Sequence, residues 1–289
     1  MALATSTGFA GAYATTRYGV SASVLAGTGE GMQRDHAYHA VRHQAQLDAP
    51  ADIGAEAGAR AVARLNPAKV ASGAMPVLFD PRVGPSLLGH LLGAISGSAI
   101  TRKTSFLCDD LGRRVFAPGI RILDDPHRPR GLRSRPFDGE GLPVSPMALV
   151  EDGVLESWLL DSAAARQLGL EPTGHAARGI GGAPGVSASN LYMAAGTLPR
   201  ETLIGEVAHG LYVTELIGQG VNPTTGDYSR GAGGFLIEGG EITRPVAEVT
   251  IAGNLKAMFA ALTPANDLTF RYGINTPTLR IDSMTVAGD

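Results

Sequence analysis

Two stretches of this chain set apolar runs on either side of a two-residue turn signal. MALVEDGVLESWLLD carries Asp152-Gly153 between its runs, and GFLIEGGEITRPV carries Gly239-Gly240. Each pattern predicts two antiparallel strands joined by a tight turn, because such dipeptides accept the positive φ values that a twisted hairpin needs. The 39 glycines exceed average composition and point the same way, to many turns and close backbone approaches.

The rest of the chain adds helices without a βαβ rhythm. Residues 7–28 are rich in Thr, Tyr, Val and Gly and read as one long strand or a hairpin, with a second extended segment over 32–47. Ile53, Ala57, Ala61 and Leu65 then recur at four-residue spacing between Pro50 and Pro67, which predicts an amphipathic helix. Met75–Phe79 reads as a short buried strand, and Pro85-Ser86 opens an apolar, glycine-containing helix, LLGHLLGAISGSAI. Short helices are predicted at 161–168, 200–208 and 253–262, and a last strand at TLRIDSMTV, with Leu279, Ile281 and Val286 facing inward. The fold class is therefore α+β: mostly antiparallel β-sheets, barrel- or sandwich-like, with a few packed helices.

Composition narrows the function classes. A net charge of −3 gives no reason to expect direct nucleic-acid contact. The one local basic run, Arg128, Arg130, Arg133 and Arg135 behind Asp124 and Asp125, reads as a solvated loop. The single cysteine, Cys108, excludes an internal disulfide framework and reads as a small buried hydrophobe. No apolar stretch is long enough for a membrane span and no signal-peptide pattern opens the sequence, so the expected location is the cytoplasm.

No H-E-x-x-H helix, G-x-S-x-G elbow, P-loop or dinucleotide fingerprint is present. His36, His39 and His43 would share a face on a helix. A strand instead sends His36 to the face opposite His39 and His43. His90 stands on the apolar Leu87–Leu92 segment, where a packed core or interface histidine is the simpler reading. In RPFDGEGLP, Asp138 and Glu140 are either a carboxylate pair for a substrate amine or turn chemistry. TELIGQGVNPTTGDYSRGAGGF brings Glu215, Gln219, Asn222, Asp227, Ser229 and Arg230 together among glycines, as a binding loop or a tight set of turns.

These segments carry a resemblance. TELIGQGVNPTTGDYSRGAGGFLIEGGEITRPVAEVTIAGNL and TPTLRIDSMTVAGD resemble the carboxy-terminal part of the TldD/PmbA family. TSTGFAGAYATTRYGVSASVLAGTGEGMQRD, GHLLGAISGSAITRKTSFL, RPFDGEGLP and LVEDGVLESWLLDSAAARQLGL resemble family segments in the same order. The likeness covers nearly all of residues 1–289, read as a carboxy-terminal domain of that type. Family members are usually longer, with a further amino-terminal α/β domain, and the chain begins close to where that domain would end.

The resemblance implies two kinds of subunit. The TldD kind has an H-E-x-x-x-H helix and a later cysteine holding a metal for peptide hydrolysis. Aligned on Arg102-Lys103, that motif falls on Gly89-His90-Leu91-Leu92-Gly93-Ala94, and the cysteine position falls near Thr263. Glycine and alanine have no lone-pair side chain, so the chain is similar to the PmbA (TldE) kind, without metal or catalytic residues of its own.

The implied zinc sits in a TldD-like partner of a heterodimer, although self-association as a homodimer stays open. The implied substrate is a small or unfolded peptide. An independently active hydrolase and a non-enzymatic regulatory protein remain the alternatives. The residues expected to touch substrate or partner are His90, Arg102, Lys103, Asp138, Asp227, Ser229 and Arg230.

Overall fold

The computed structural model describes residues 1–179 and 181–288. Near the start, strands Tyr18–Ala26 and Gln33–Val41 form a hairpin paired antiparallel from Tyr18↔Val41 to Ala26↔Gln33. Helix Pro50–Ala63 has proline in its first turn, where the missing N–H costs no hydrogen bond. It lies on one face of the hairpin. Ile53 and Ala57 meet Ala37, with Val20, Ala22 and Val24 packed beside them, so the helical four-residue repeat fits the two-residue repeat of the strands.

Five strands then close on themselves. Gly73–Phe79 pairs parallel with His209–Ile217, which pairs antiparallel with Asp227–Glu238. That strand pairs with Glu241–Asn254, whose far end meets Leu279–Ala287, and the last strand returns to Gly73–Phe79. Closure leaves the ring no free edge. Leu262–Pro264 adds to the remaining stretch of the last strand. Val77, Phe79, Leu211, Val213, Ile251 and Ile281 belong to the main core, while the alternating Leu78 and Tyr212 pack with Leu203 and Ile204 of helix Arg200–Gly205. Both faces of Gly73–Phe79 are thus buried, which explains its unbroken apolar sequence.

A second, five-stranded sheet runs Ile274–Asn275, Leu191–Met193, Ile122–Asp124, Met147–Glu151 and Val154–Leu155. Only its first pairing is parallel. Both predicted hairpins form: Asp152 and Gly153 take φ of 47° and 78°, and Gly239 and Gly240 take 60° and 83°. The architecture is α+β and mainly antiparallel, with a barrel-like sheet.

Four local readings need correction. The apolar stretch after Pro85 is two helices, Pro85–Ala94 and Gly97–Thr101, because Ser96 leaves the helical region and caps the second through Ala99 N–H. Residues 7–28 contain Ala10–Ala12 and Tyr18–Ala26, paired with different partners. Cys108 is half-buried against the core, not fully enclosed. The arginine loop is tied down: the Arg128 guanidinium lies 3.3 Å over the Phe270 ring, Arg135 donates to Ser187 O at 2.9 Å, and Asp124 is a buried strand residue.

Asp124 anchors a buried polar cluster. Its Oδ2 lies 3.1 Å from His175 Nε2 and accepts from Ser189 N–H, and its Oδ1 accepts the Ser189 hydroxyl at 2.8 Å. His175 Nδ1 is 2.9 Å from Thr173 Oγ1. Burial works to raise the Asp124 pKa, but the His175 and Ser189 hydrogen bonds outweigh it and hold the carboxyl below the usual range. A depressed carboxyl stabilises the fold above its unfolded-state pKa and loses that contribution as pH falls through the folded value. Asp124→Ala strands three buried hydrogen-bonding groups and is expected to cost about 3 kcal/mol, measured by urea unfolding near neutral pH. The penalty shrinks towards acid pH.

Glycine positions separate two effects. A Cβ on Gly234 would meet Tyr212 O at 1.9 Å, where the pairing of the two strands shifts register. Gly54, inside helix Pro50–Ala63, has open space around it. Gly234→Ala should lower stability by about 3 kcal/mol, and Gly54→Ala should raise it by roughly 0.5–1 kcal/mol, both read from denaturant midpoints.

Candidate functional site

Helix Pro85–Ala94 carries Ser86 and His90 one turn apart, hence on one face. The His90 ring meets the Tyr228 ring edge-on at 5.8 Å. Burial, followed by the positive charge of Arg230, pushes the His90 pKa down, so its imidazole is neutral at pH 7. Its Nε2 and Arg230 Nε are buried without a hydrogen-bond partner, and the Tyr228 hydroxyl is buried beside the Arg230 guanidinium. Burial pushes the Tyr228 hydroxyl up to about 12, against the opposing pull of Arg230.

Strand alternation divides the glycine-rich segment. Tyr228 and Arg230 lie on the face towards His90, whereas Asp227 and Ser229 are exposed on the other. Asp227 is held by the Thr225 hydroxyl at 2.6 Å and by Asn254, which hold its carboxyl below the usual range. It therefore stabilises the turn. Arg102 and Lys103 are exposed after helix Gly97–Thr101, Lys103 with φ of 55°. Asp138 is buried, its oxygens accepting from Glu140, Leu142 and Ala176 N–H. Glu140 accepts from Ser162 N–H and its hydroxyl. This pair serves backbone groups. Of the residues singled out in the sequence, the fold brings His90 and Arg230 together and sets His36 and Glu215 in the same cleft as Arg230. Arg102, Lys103, Asp138, Asp227 and Ser229 lie outside that cleft.

The cleft, of about 360 Å³, opens beside His90 and Arg230, between the hairpin with its helix and the barrel. Arg34, Arg60, Arg64, Arg82 and Arg230 line it, with Asp35, Glu215, Tyr38, Tyr272, Ser86 and Thr214. A chain of ion pairs forms its wall. Asp35 lies 3.0 Å from Arg82 and 3.6 Å from Arg64, and Arg64 continues to Glu215. Arg82 also binds Asp80, which accepts the Tyr212 hydroxyl at 2.9 Å. Burial and then Asp80 push the Tyr212 pKa up. Burial opposes the charge on Arg82, but Asp80 and Asp35 more than restore it.

Sequence reading passed over Asp35, Arg64 and Arg82. One signal was available: Asp35 has the same parity as the core residue Ala37 on its strand, so its charge must point inward.

The donor set does not fit a zinc site of the H-E-x-x-x-H kind. Gly89 is exposed and Ala94 is buried, neither with a lone pair to offer, and His90 supplies a single imidazole facing Tyr228 and Arg230. Thr263 lies on the barrel's added strand, opposite Arg280. His36 and His39 fall on opposite faces of their strand, and His43 lies beyond its end. Among the described residues no three His, Cys, Asp or Glu side chains cluster as metal ligands. Nor is any helix among them long and apolar enough to cross a membrane.

Residues 72–288 match the PmbA/TldA metallopeptidase C-terminal domain, and residues 1–65 match the PmbA/TldA metallopeptidase central domain. The chain is 42% identical over 277 residues to the Metalloprotease PmbA of Escherichia coli O157:H7, covering 96% of this chain and 60% of that protein. To the Metalloprotease TldD homolog of Haemophilus influenzae it is 28% identical over 251 residues, 81% of this chain and 52% of that protein. The crystal structure of TldE from Thermococcus kodakarensis superposes with a TM-score of 0.83 at 26% identity, over 93% of this chain and 62% of that one. The chain thus spans about 60% of the length of the PmbA relative. With the two domain matches joined by the barrel, the hairpin and the cleft between them, this chain belongs to the PmbA/TldD metallopeptidase family.

Proposed function

We propose that this chain is a PmbA/TldE-type subunit that works without a metal of its own in a TldD/TldE-type metallopeptidase complex acting on small or unfolded peptides. The observation that supports this reading is the donor set of helix Pro85–Ala94: Gly89 and Ala94, at the positions to which the resemblance assigns the two ligands, offer no lone pair. The lower identity to a TldD homolog than to PmbA, and the likeness to TldE, support the same assignment.

In this reading the chain holds and shields the peptide, and a TldD-like partner in the same cytoplasmic heterodimer holds the zinc. The cleft supplies walls, charge and exclusion of water; proton transfer and water activation belong to the partner. His90 is then a neutral, desolvated contact beside Arg230 rather than the general base whose position it occupies.

The test is direct. The purified chain is expected to retain only substoichiometric zinc and to leave unfolded peptides intact. Adding a partner with the H-E-x-x-x-H helix should produce chelator-sensitive cleavage and co-purification. Stoichiometric zinc with chelator-sensitive cleavage by the chain alone would overturn the proposal. So would failure of every metal-bearing partner to bind or to become active.

A further inference from the structure

We propose that the arginine-lined cleft captures the carboxylate of an extended peptide, with Arg230 as its anchor. The inference rests on the proposed peptide-handling role and specifies the chemical group by which this chain would grip its substrate.

The charge count of the lining motivates it. Five arginines face two carboxylates, Asp35 and Glu215. Arg64 and Arg82 are committed to those acids, and Arg60 pairs with Glu56 at 2.5 Å. Arg34 and Arg230 have no carboxylate partner among the described residues. Arg34 is exposed at the rim, whereas Arg230 is half-buried and its Nε is shielded from solvent without an acceptor. A shielded guanidinium N–H without an acceptor is costly, and such groups are normally paired. A ligand anion would supply the missing charge.

The surroundings favour a carboxylate on a peptide. A guanidinium offers parallel N–H groups matched to two carboxylate oxygens. Thr214, also lining the cleft, has a buried hydroxyl with no partner and can donate a further hydrogen bond. Tyr38 and Tyr272 stand 5.3 Å apart, ring to ring, and offer an apolar wall to the side chain next to the carboxylate. The volume of about 360 Å³ lies within the range of small-ligand sites. The pKa of His90 is held down by burial and by Arg230, so its ring adds no competing positive charge.

Either the α-carboxylate at the peptide's end or an acidic side chain could fill this place. Three fluorescent probes separate them: N-terminally labelled Ala-Ala-Ala-Ala as free acid, the same peptide as its amide, and Ala-Ala-Glu-Ala as its amide. Anisotropy titration of the chain should show the free acid binding about tenfold tighter than the alanine amide. A gain for the glutamate amide as well assigns the site to carboxylates of both sources. A gain for the glutamate amide alone assigns it to acidic side chains.

Arg230→Gln should erase the preference, and Arg34→Gln, on the exposed rim and harmless to folding, should weaken it several-fold. Equal binding of all three probes overturns the inference, as does a preference that survives both substitutions. Absence of the preference in the unsubstituted chain, with partner-dependent cleavage intact, would remove only this inference. A preference that persists where no partner confers cleavage would remove only the proposed complex.

Discussion

The placement of the hairpin unit on the barrel depends on Asp35. This carboxylate is 5% exposed and binds Arg82 from the loop after the barrel strand and Arg64 from the end of the helix. Arg64, 7% exposed, passes the charge on to Glu215 of the next barrel strand. The apolar cluster of Ala37, Ile53 and Ala57 is separate from the barrel core. The join is therefore chiefly polar: Arg271 with Asp48 at 2.7 Å, Arg42 with the carbonyls of Gly131 and Leu132, and the Tyr38–Tyr272 ring contact add to the Asp35 chain. Apolar surfaces can slide past one another at small cost, but buried ion pairs tolerate few arrangements, because each lost partner leaves an uncompensated charge. The cleft owes its shape to that restriction.

The elements that could be read from sequence are those whose signals are local. Ile53, Ala57 and Ala61 fix the first helix face, the two turn dipeptides fix their hairpins, and Leu279 and Ile281 are buried as alternation requires, with Val286 buried too because the register shifts between Ile281 and Met284. The break at Ser96 was less legible, since its capping role competes with an apolar pattern that continues on both sides. Barrel closure was legible only as one of two alternatives, barrel or sandwich. It depends on Thr250, Ile251 and Ala252 meeting residues 285–287, more than thirty positions away, and on Gly234 letting Tyr212 O approach. Neither fact has a local signature.

The site divides along the same line. Strand parity is a local property, and applied to Asp227, Ser229 and Arg230 it would have separated the first two from the third. Pairing across the cleft is not local. Arg64 and Arg82 look like ordinary surface charges until Asp35 is brought to them from another element. Asp138 shows the converse case. A carboxylate between glycines suggests a binding loop, but three backbone N–H groups consume it entirely.

The absence of lone-pair side chains at Gly89 and Ala94 is compatible with a well-seated helix for a physical reason. In helix Pro85–Ala94 the core is formed by Leu87, Leu88, Leu91 and Ala94, and Gly89 faces open space. Gly89 contributes nothing to that packing, whereas Ala94 is part of it. The face with Ser86 and His90 is different, because it borders Tyr228, Arg230 and the cleft. Ser86 lines the cleft, and His90, one turn further on, packs behind it against Tyr228. The His90 imidazole fills the space against Tyr228, and burial together with Arg230 disfavours a second positive charge there.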